Sequence, residues 1–149
     1  MEPQATRDKP IIPAYSAFRS GPAGRAFNEA AFRYFLGVDR QRAARSMRSL
    51  LLVLVTLSQH PGQRTRLNDD TAAALFAGLG ECVRDVDFVG WYREGYVAGA
   101  VMPQPGNASA SVSHRVQERV IDALRQRFPA GPLETLRVRV IRLGAKARG

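Results

Sequence analysis

Cysteine is almost missing from this 149-residue chain, with Cys82 the only example. One thiol excludes an internal disulfide and any zinc cluster built on several cysteines. Histidine is nearly as scarce. His60 lies beside Pro61 and His114 near the start of a helix, and neither is expected to have a carboxylate or thiol at ligand spacing, so no local zinc site is expected. Long apolar runs are also lacking. The longest, Leu50 to Leu57, is interrupted by Thr56 and falls well short of the about 20 residues a membrane helix needs. The polar stretch Met1 to Pro10 has no apolar segment behind it and does not read as a secretory signal. The chain is therefore expected to be cytoplasmic, with no membrane insertion. Three motifs are absent: a Gly-x-Ser-x-Gly elbow, a phosphate loop ending in Lys-Ser/Thr, and Gly-x-Gly-x-x-Gly.

Acidic residues are few. Thirteen Asp and Glu face 22 Lys and Arg, a net charge of +9, and only Lys9 and Lys146 are lysines. Arginine suits planar, bidentate contact with phosphate or carboxylate. The same balance also fits arginines spread over solvated helix faces. The tightest groups are Arg40, Arg42, Arg45, Arg48 and Arg137, Arg139, Arg142. Cys82 falls beside an apolar helical stripe and reads as a small buried hydrophobe.

The length fits one domain, and 45% hydrophobic residues are enough for a core. Residues 1–26 are rich in Pro, Gly and Arg and read as an extended, partly disordered lead-in on which Ile11, Ile12, Tyr15 and Phe18 can dock. Residues 27–143 form the domain, and 144–149 a tail. Asn28 is expected to cap a first helix whose apolar residues are Phe27, Ala31, Tyr34, Phe35 and Val38, ending near Ser46 to Ser49. Leu50 to Leu57 is apolar on both alternating faces, as in a central strand covered on both sides. Asp69 or Asp70 then caps a second helix inward at Ala72, Leu75, Phe76, Leu79 and Val83. Phe88 to Tyr92 and Tyr96 to Met102 flank Arg93-Glu94-Gly95, a hairpin turn in which glycine supplies the positive φ. Trp91 and Tyr92 point to opposite faces. Ser113 is expected to cap a third helix inward at Val116, Val120, Ile121, Leu124 and Phe128, and Leu136 to Val140 alternates as a last strand. The order helix, strand, helix, hairpin, helix, strand predicts an α+β fold, an antiparallel-rich central sheet flanked by helices.

From about Phe27 to Leu143, this order and several residues resemble the GGDEF domain of diguanylate cyclases, with its nucleotidyl-cyclase palm. Asn28-Glu-Ala-Ala-Phe32 keeps the Asn and Phe of the family's Asn-Arg-x-x-Phe. Arg84-Asp-Val-Asp87 matches Arg-x-x-Asp, and after five intervening residues, Phe88 to Tyr92, Arg93-Glu94-Gly95-Tyr96-Val97 stands where the signature would be. Degenerate members with an Asp-x-Ile-Gly-Trp-Tyr-like hairpin are similar to Asp87 to Tyr92. The resemblance implies two magnesium sites formed by acidic residues at the end of the first strand and in the hairpin. Here those positions hold Thr56 (followed by Leu57-Ser58) and Gly95, Tyr96 replaces the following Glu, and Glu94 fits only with a one-residue slip. Paired magnesium ions need anionic oxygen ligands. No catalytic residues, cofactor, metal or cyclase activity are therefore expected.

The resemblance implies that Arg84 and Asp87 bind cyclic di-GMP, since arginine suits a guanine edge or phosphate and aspartate accepts from guanine N–H groups. Read without it, Arg84 is a helix C-terminal cation and Asp87 introduces the hairpin. The expected function is a catalytically inactive regulatory or protein-interaction module in bacterial signalling. A protein partner is expected, cyclic di-GMP is a candidate ligand, and a homodimer is open. A basic module holding single-stranded nucleic acid ranks below; Arg137, Arg139 and Trp91 on one open sheet face would favour it.

Overall fold

A computed structural model describes residues 18–19, 26–57, 65–106, 109–128 and 136–144. In chain order the elements are β1 (Phe18–Arg19), β2 (Ala26–Phe27), α1 (Glu29–Arg45), β3 (Ser49–Thr56), α2 (Asp69–Gly80), β4 (Phe88–Arg93), β5 (Val97–Pro103), α3 (Ala110–Arg127) and β6 (Arg137–Gly144). The six strands form one sheet in the order β1-β2-β4-β5-β3-β6, in which β2 and β4 are parallel and every other neighbouring pair is antiparallel. This is the expected α+β architecture, with an antiparallel-rich sheet flanked by helices. β1 and β2, near the end of the 1–26 lead-in, extend the sheet beside β4.

The central place of β3 follows from its composition. Side chains alternate across a strand, and both alternating sets here are apolar. Leu51, Val53 and Val55 join the core under α2 and α3, while Leu50 and Leu52 join the core under α1. Burying each such side chain stabilises the fold by roughly 1.5–3 kcal/mol, which an edge or one-sided position would largely forfeit. β3 accordingly pairs on both sides, with Val53 opposite Ala100 on β5 and Val140 on β6.

The helices show where local pattern was insufficient. Asn28 caps α1 as expected, its side chain accepting from the Ala31 N–H at 2.9 Å. The buried residues of α1 are Ala31, Phe32, Leu36 and Ala43, whereas Tyr34 is exposed. The expected stripe was thus rotated, because apolar residues occur on more than one face and the sheet selects which is covered. Phe35 stays in contact with the rings of Phe27 and Phe88. Asn68, not Asp69 or Asp70, caps α2, its side chain accepting from the Thr71 N–H at 2.8 Å. The two aspartates occupy the first turn, where negative charge suits the helix dipole. Ser109, four residues before Ser113, caps α3. β6 runs on to Gly144, because β3 offers it a partner at every position from Ser49 to Thr56.

The hairpin strands lie close to the structures beneath them. A Cβ at Gly90 would stand 2.6 Å from the Phe27 carbonyl oxygen and 2.9 Å from the Phe32 ring. Gly90→Ala should therefore lower stability by about 1–3 kcal/mol, read from urea unfolding followed by the fluorescence of the single tryptophan. An unchanged midpoint would show that β2 and α1 yield without cost.

Candidate functional site

Arg84 and Asp87 are brought together in the turn between α2 and β4. The Asp87 carboxylate accepts from the Arg84 backbone N–H at 2.8 Å, from Nε at 3.1 Å and from Nη2 at 2.8 Å. Arg84 Nη2 also donates to the Pro103 carbonyl at 2.7 Å, fastening the turn to the end of β5. The Asp87 side chain is only 1% accessible, while that of Arg84 is 52% accessible. The hydrogen bond to Asp87 holds the Arg84 guanidinium above its ordinary pKa. Arg84 lies beyond the end of α2 at Gly80, and its described bonds run to Asp87 and Pro103, not to the last carbonyls of that helix. Asp87 thus acts as the anchor and Arg84 as the side chain presented outward.

Beside this pair lies a cleft of about 440 Å³. The last turns of α1 and the segment after it line it with Asp39, Arg42, Arg45 and Arg48; Val86 and Pro103 form another part of its wall. The three arginines recur every third residue, which places them near one another at a helix C-terminus, where cations are favoured. Sequence reading noted them as a charge cluster and assigned them no site. Their spacing was the available signal, but nothing local showed that Val86 and Pro103 would join the lining. Burial pushes the Asp39 carboxyl above its ordinary pKa of 3.8, and Arg42 partly offsets this.

The tip formed by Arg93, Glu94, Gly95, Tyr96 and Val97 is clamped to α1. The Glu94 N–H donates to Glu29 Oε1 at 2.7 Å, and the Glu29 N–H donates back to Glu94 Oε1 at 3.2 Å. Arg33 Nε donates to the Tyr92 carbonyl at 3.0 Å, and its guanidinium carbon lies 4.2 Å from the centre of the Tyr92 ring. Gly95 has φ +84°, as the turn expectation required. The Leu67 N–H donates to the Gly95 carbonyl at 2.8 Å, and the Arg66 guanidinium lies against Gly95. Glu94 thereby binds the first turn of α1. Thr56 sits opposite Arg137 at the end of β3 and carries no carboxylate.

The remaining candidates separate in space. Cys82 is buried, and desolvation raises its pKa. His114 does have a carboxylate in reach, since Nε2 lies 3.1 Å from Glu118 one turn away; the contrary expectation overlooked this helical spacing. His60 and Ser58 lie outside the described residues. No group of three or more His, Cys, Asp or Glu that could hold a metal occurs among the described residues. Trp91 packs under α2 against Phe76, while Arg137 and Arg139 face the other side of the sheet with Leu54 and Thr56. The shared open face that would favour single-stranded nucleic acid is therefore not formed by these residues. None of the described helices is long and apolar enough to cross a membrane.

Comparison with solved structures identifies the architecture. The FimX GGDEF domain from Pseudomonas aeruginosa is similar with a TM-score of 0.57 at 14% identity, over 87% of this chain and 83% of that one. The fold is that of a GGDEF domain. The GGDEF domain of DgcB from Caulobacter crescentus, in complex with c-di-GMP, matches with a TM-score of 0.55 at 16% identity, over 85% of this chain and 76% of that one. Diguanylate cyclase SiaD from Pseudomonas aeruginosa, in complex with its activator SiaC, matches with a TM-score of 0.59 at 19% identity, over 96% of this chain and 57% of that one. No protein-family model matches the chain. The comparison with curated proteins also yields no match.

The raised pKa of Asp39 has a stability consequence. The folded state disfavours the charged carboxylate, so its cost applies above the folded pKa and disappears below the ordinary 3.8. Asp39→Asn should therefore stabilise the protein at about pH 7, with a gain that shrinks as the pH falls toward 3.8. The lost contact with Arg42, 3.9 Å long and mostly solvated on the arginine side, offsets little of this gain. Urea midpoints of both proteins across that range would show it; a pH-independent difference would contradict the assignment.

Proposed function

We propose that this GGDEF-like domain is a non-catalytic regulatory or protein-interaction module in bacterial signalling that binds cyclic di-GMP through Arg84, anchored by Asp87. One observation carries the reading: a half-exposed arginine, held by a buried aspartate, stands beside a cleft lined by three further arginines. In such an arrangement the outward edge of Arg84 meets a guanine or phosphate. Arg42, Arg45 and Arg48 supply charge-assisted donors for the phosphodiesters. Asp87 keeps Arg84 in place and reaches the ligand only if their ion pair opens. DgcB in its c-di-GMP complex and SiaD in its complex with an activator protein support the two halves of the reading by analogy of fold.

The hairpin tip supports the non-catalytic half. Two magnesium ions would need carboxylates at the positions of Thr56 and Gly95, and these residues do not fit that group. Glu94 is the nearest carboxylate in sequence, and it is bonded to the start of α1. Among the described residues the geometry thus supports holding a ligand rather than aligning two triphosphates.

Calorimetry with cyclic di-GMP is expected to give heat with the wild type and at least about tenfold weaker binding with Arg84→Ala, the scale of one charge-assisted hydrogen bond. No heat from the wild type would end the binding proposal. Incubation with GTP and magnesium is expected to give no cyclic dinucleotide; its appearance would overturn the non-catalytic one.

A further inference from the structure

The two most exposed large apolar side chains among the described residues are Met47, 70% exposed, and Val86, 64% exposed. They belong to different segments, one after α1 and one before β4, and each segment contributes to the lining of the arginine cleft. Val86 lines it, and Met47 lies between Ser46 and Arg48, which also line it.

Met47 is unusual in a second way. It follows the C-cap of α1 with φ +57°, the only positive φ at a non-glycine among the described residues. The helix ends there through bonds from the Met47 N–H to the Ala44 carbonyl and from the Arg48 N–H to the Ala43 carbonyl. Glycine commonly fills this position, since a side chain in the left-handed region is strained. Burial does not offset the strain, because most of the methionine faces solvent. A strained backbone that presents an exposed flexible apolar group points to contact outside the chain.

The charge around the cleft states what that contact is. Arg42, Arg45 and Arg48 face a single Asp39 on its lining. A second copy applied through the same surface would set arginine against arginine, whereas carboxylates would be matched. Methionine and arginine are also enriched in protein interfaces. We propose that Met47 and Val86 are the apolar anchors of a docking surface for an acidic protein segment, one apolar side chain flanked by carboxylates, with the cleft arginines as its counter-charges. The proposal rests on the reading of the domain as an interaction module and names the chemistry of its partner.

The test is selection of a random 12-residue phage-displayed peptide library on the full chain. Recovered peptides should be rich in Asp and Glu around one Leu, Met, Phe or Trp. A synthetic representative should lose about tenfold or more in affinity with Val86→Ser, with Met47→Gly and with Arg45→Glu. Met47→Gly should meanwhile melt about 3 °C higher than the wild type, because the strain is relieved, which separates lost docking from lost folding. Selected peptides without acidic bias, or affinity unchanged by Met47→Gly and Val86→Ser, would overturn the proposal. Calorimetry on the same preparation keeps the two readings apart: peptide binding without cyclic di-GMP binding removes only the dinucleotide reading. Cyclic di-GMP binding without acidic peptides removes only the docking surface.

Discussion

The demand that β3 bury both of its faces organises this protein. A strand with apolar side chains on alternate sides has no stable place at an edge or on a solvated sheet. It must lie between two strands and between two layers of helix. β5 and β6 supply the first requirement, and α1 opposite α2 and α3 supplies the second. Once α1 is laid across the sheet in this way, its N-terminus reaches the hairpin tip and its C-terminal arginines reach the turn before β4. The two regions of chemical interest are thus consequences of how one buried strand is covered.

Those regions use charge differently. At the beginning of β4, a buried carboxylate is matched by three donors from one arginine, which leaves the outer part of the guanidinium available to solvent. At its end, two glutamates each accept the backbone N–H of the other's residue, so the tip is tied to the first turn of α1. The first arrangement presents a cation; the second consumes an anion. Both are short-range and partly solvated, and their worth is in geometry more than in stability.

Much of this was legible from residue pattern. Alternation identified β3, the Arg93-Glu94-Gly95 sequence identified the hairpin, and the spacing of Arg84 from the tip carried the resemblance to GGDEF domains, whose fold the chain shares. The inward face of α1 was misread because Tyr34, Phe35 and Leu36 offer competing stripes. The caps Asn68 and Ser109 were missed because several polar residues precede each helix, and a cap is chosen by where the first turn begins to pack. Arg42, Arg45 and Arg48 were visible as a cluster, yet the cleft needs Val86 and Pro103 from across the fold.

The sequence by itself determined the period of each element, the turn that needs glycine, and the absence of carboxylates at Thr56 and Gly95, because these depend on residues adjacent or nearly so. Tertiary structure alone decided which face of α1 is covered, that Glu94 meets Glu29 across 65 positions, and that Trp91 lies on the opposite side of the sheet from Arg137 and Arg139. Such outcomes depend on how separate elements compete for the same buried space, and that competition is settled only when the whole chain packs.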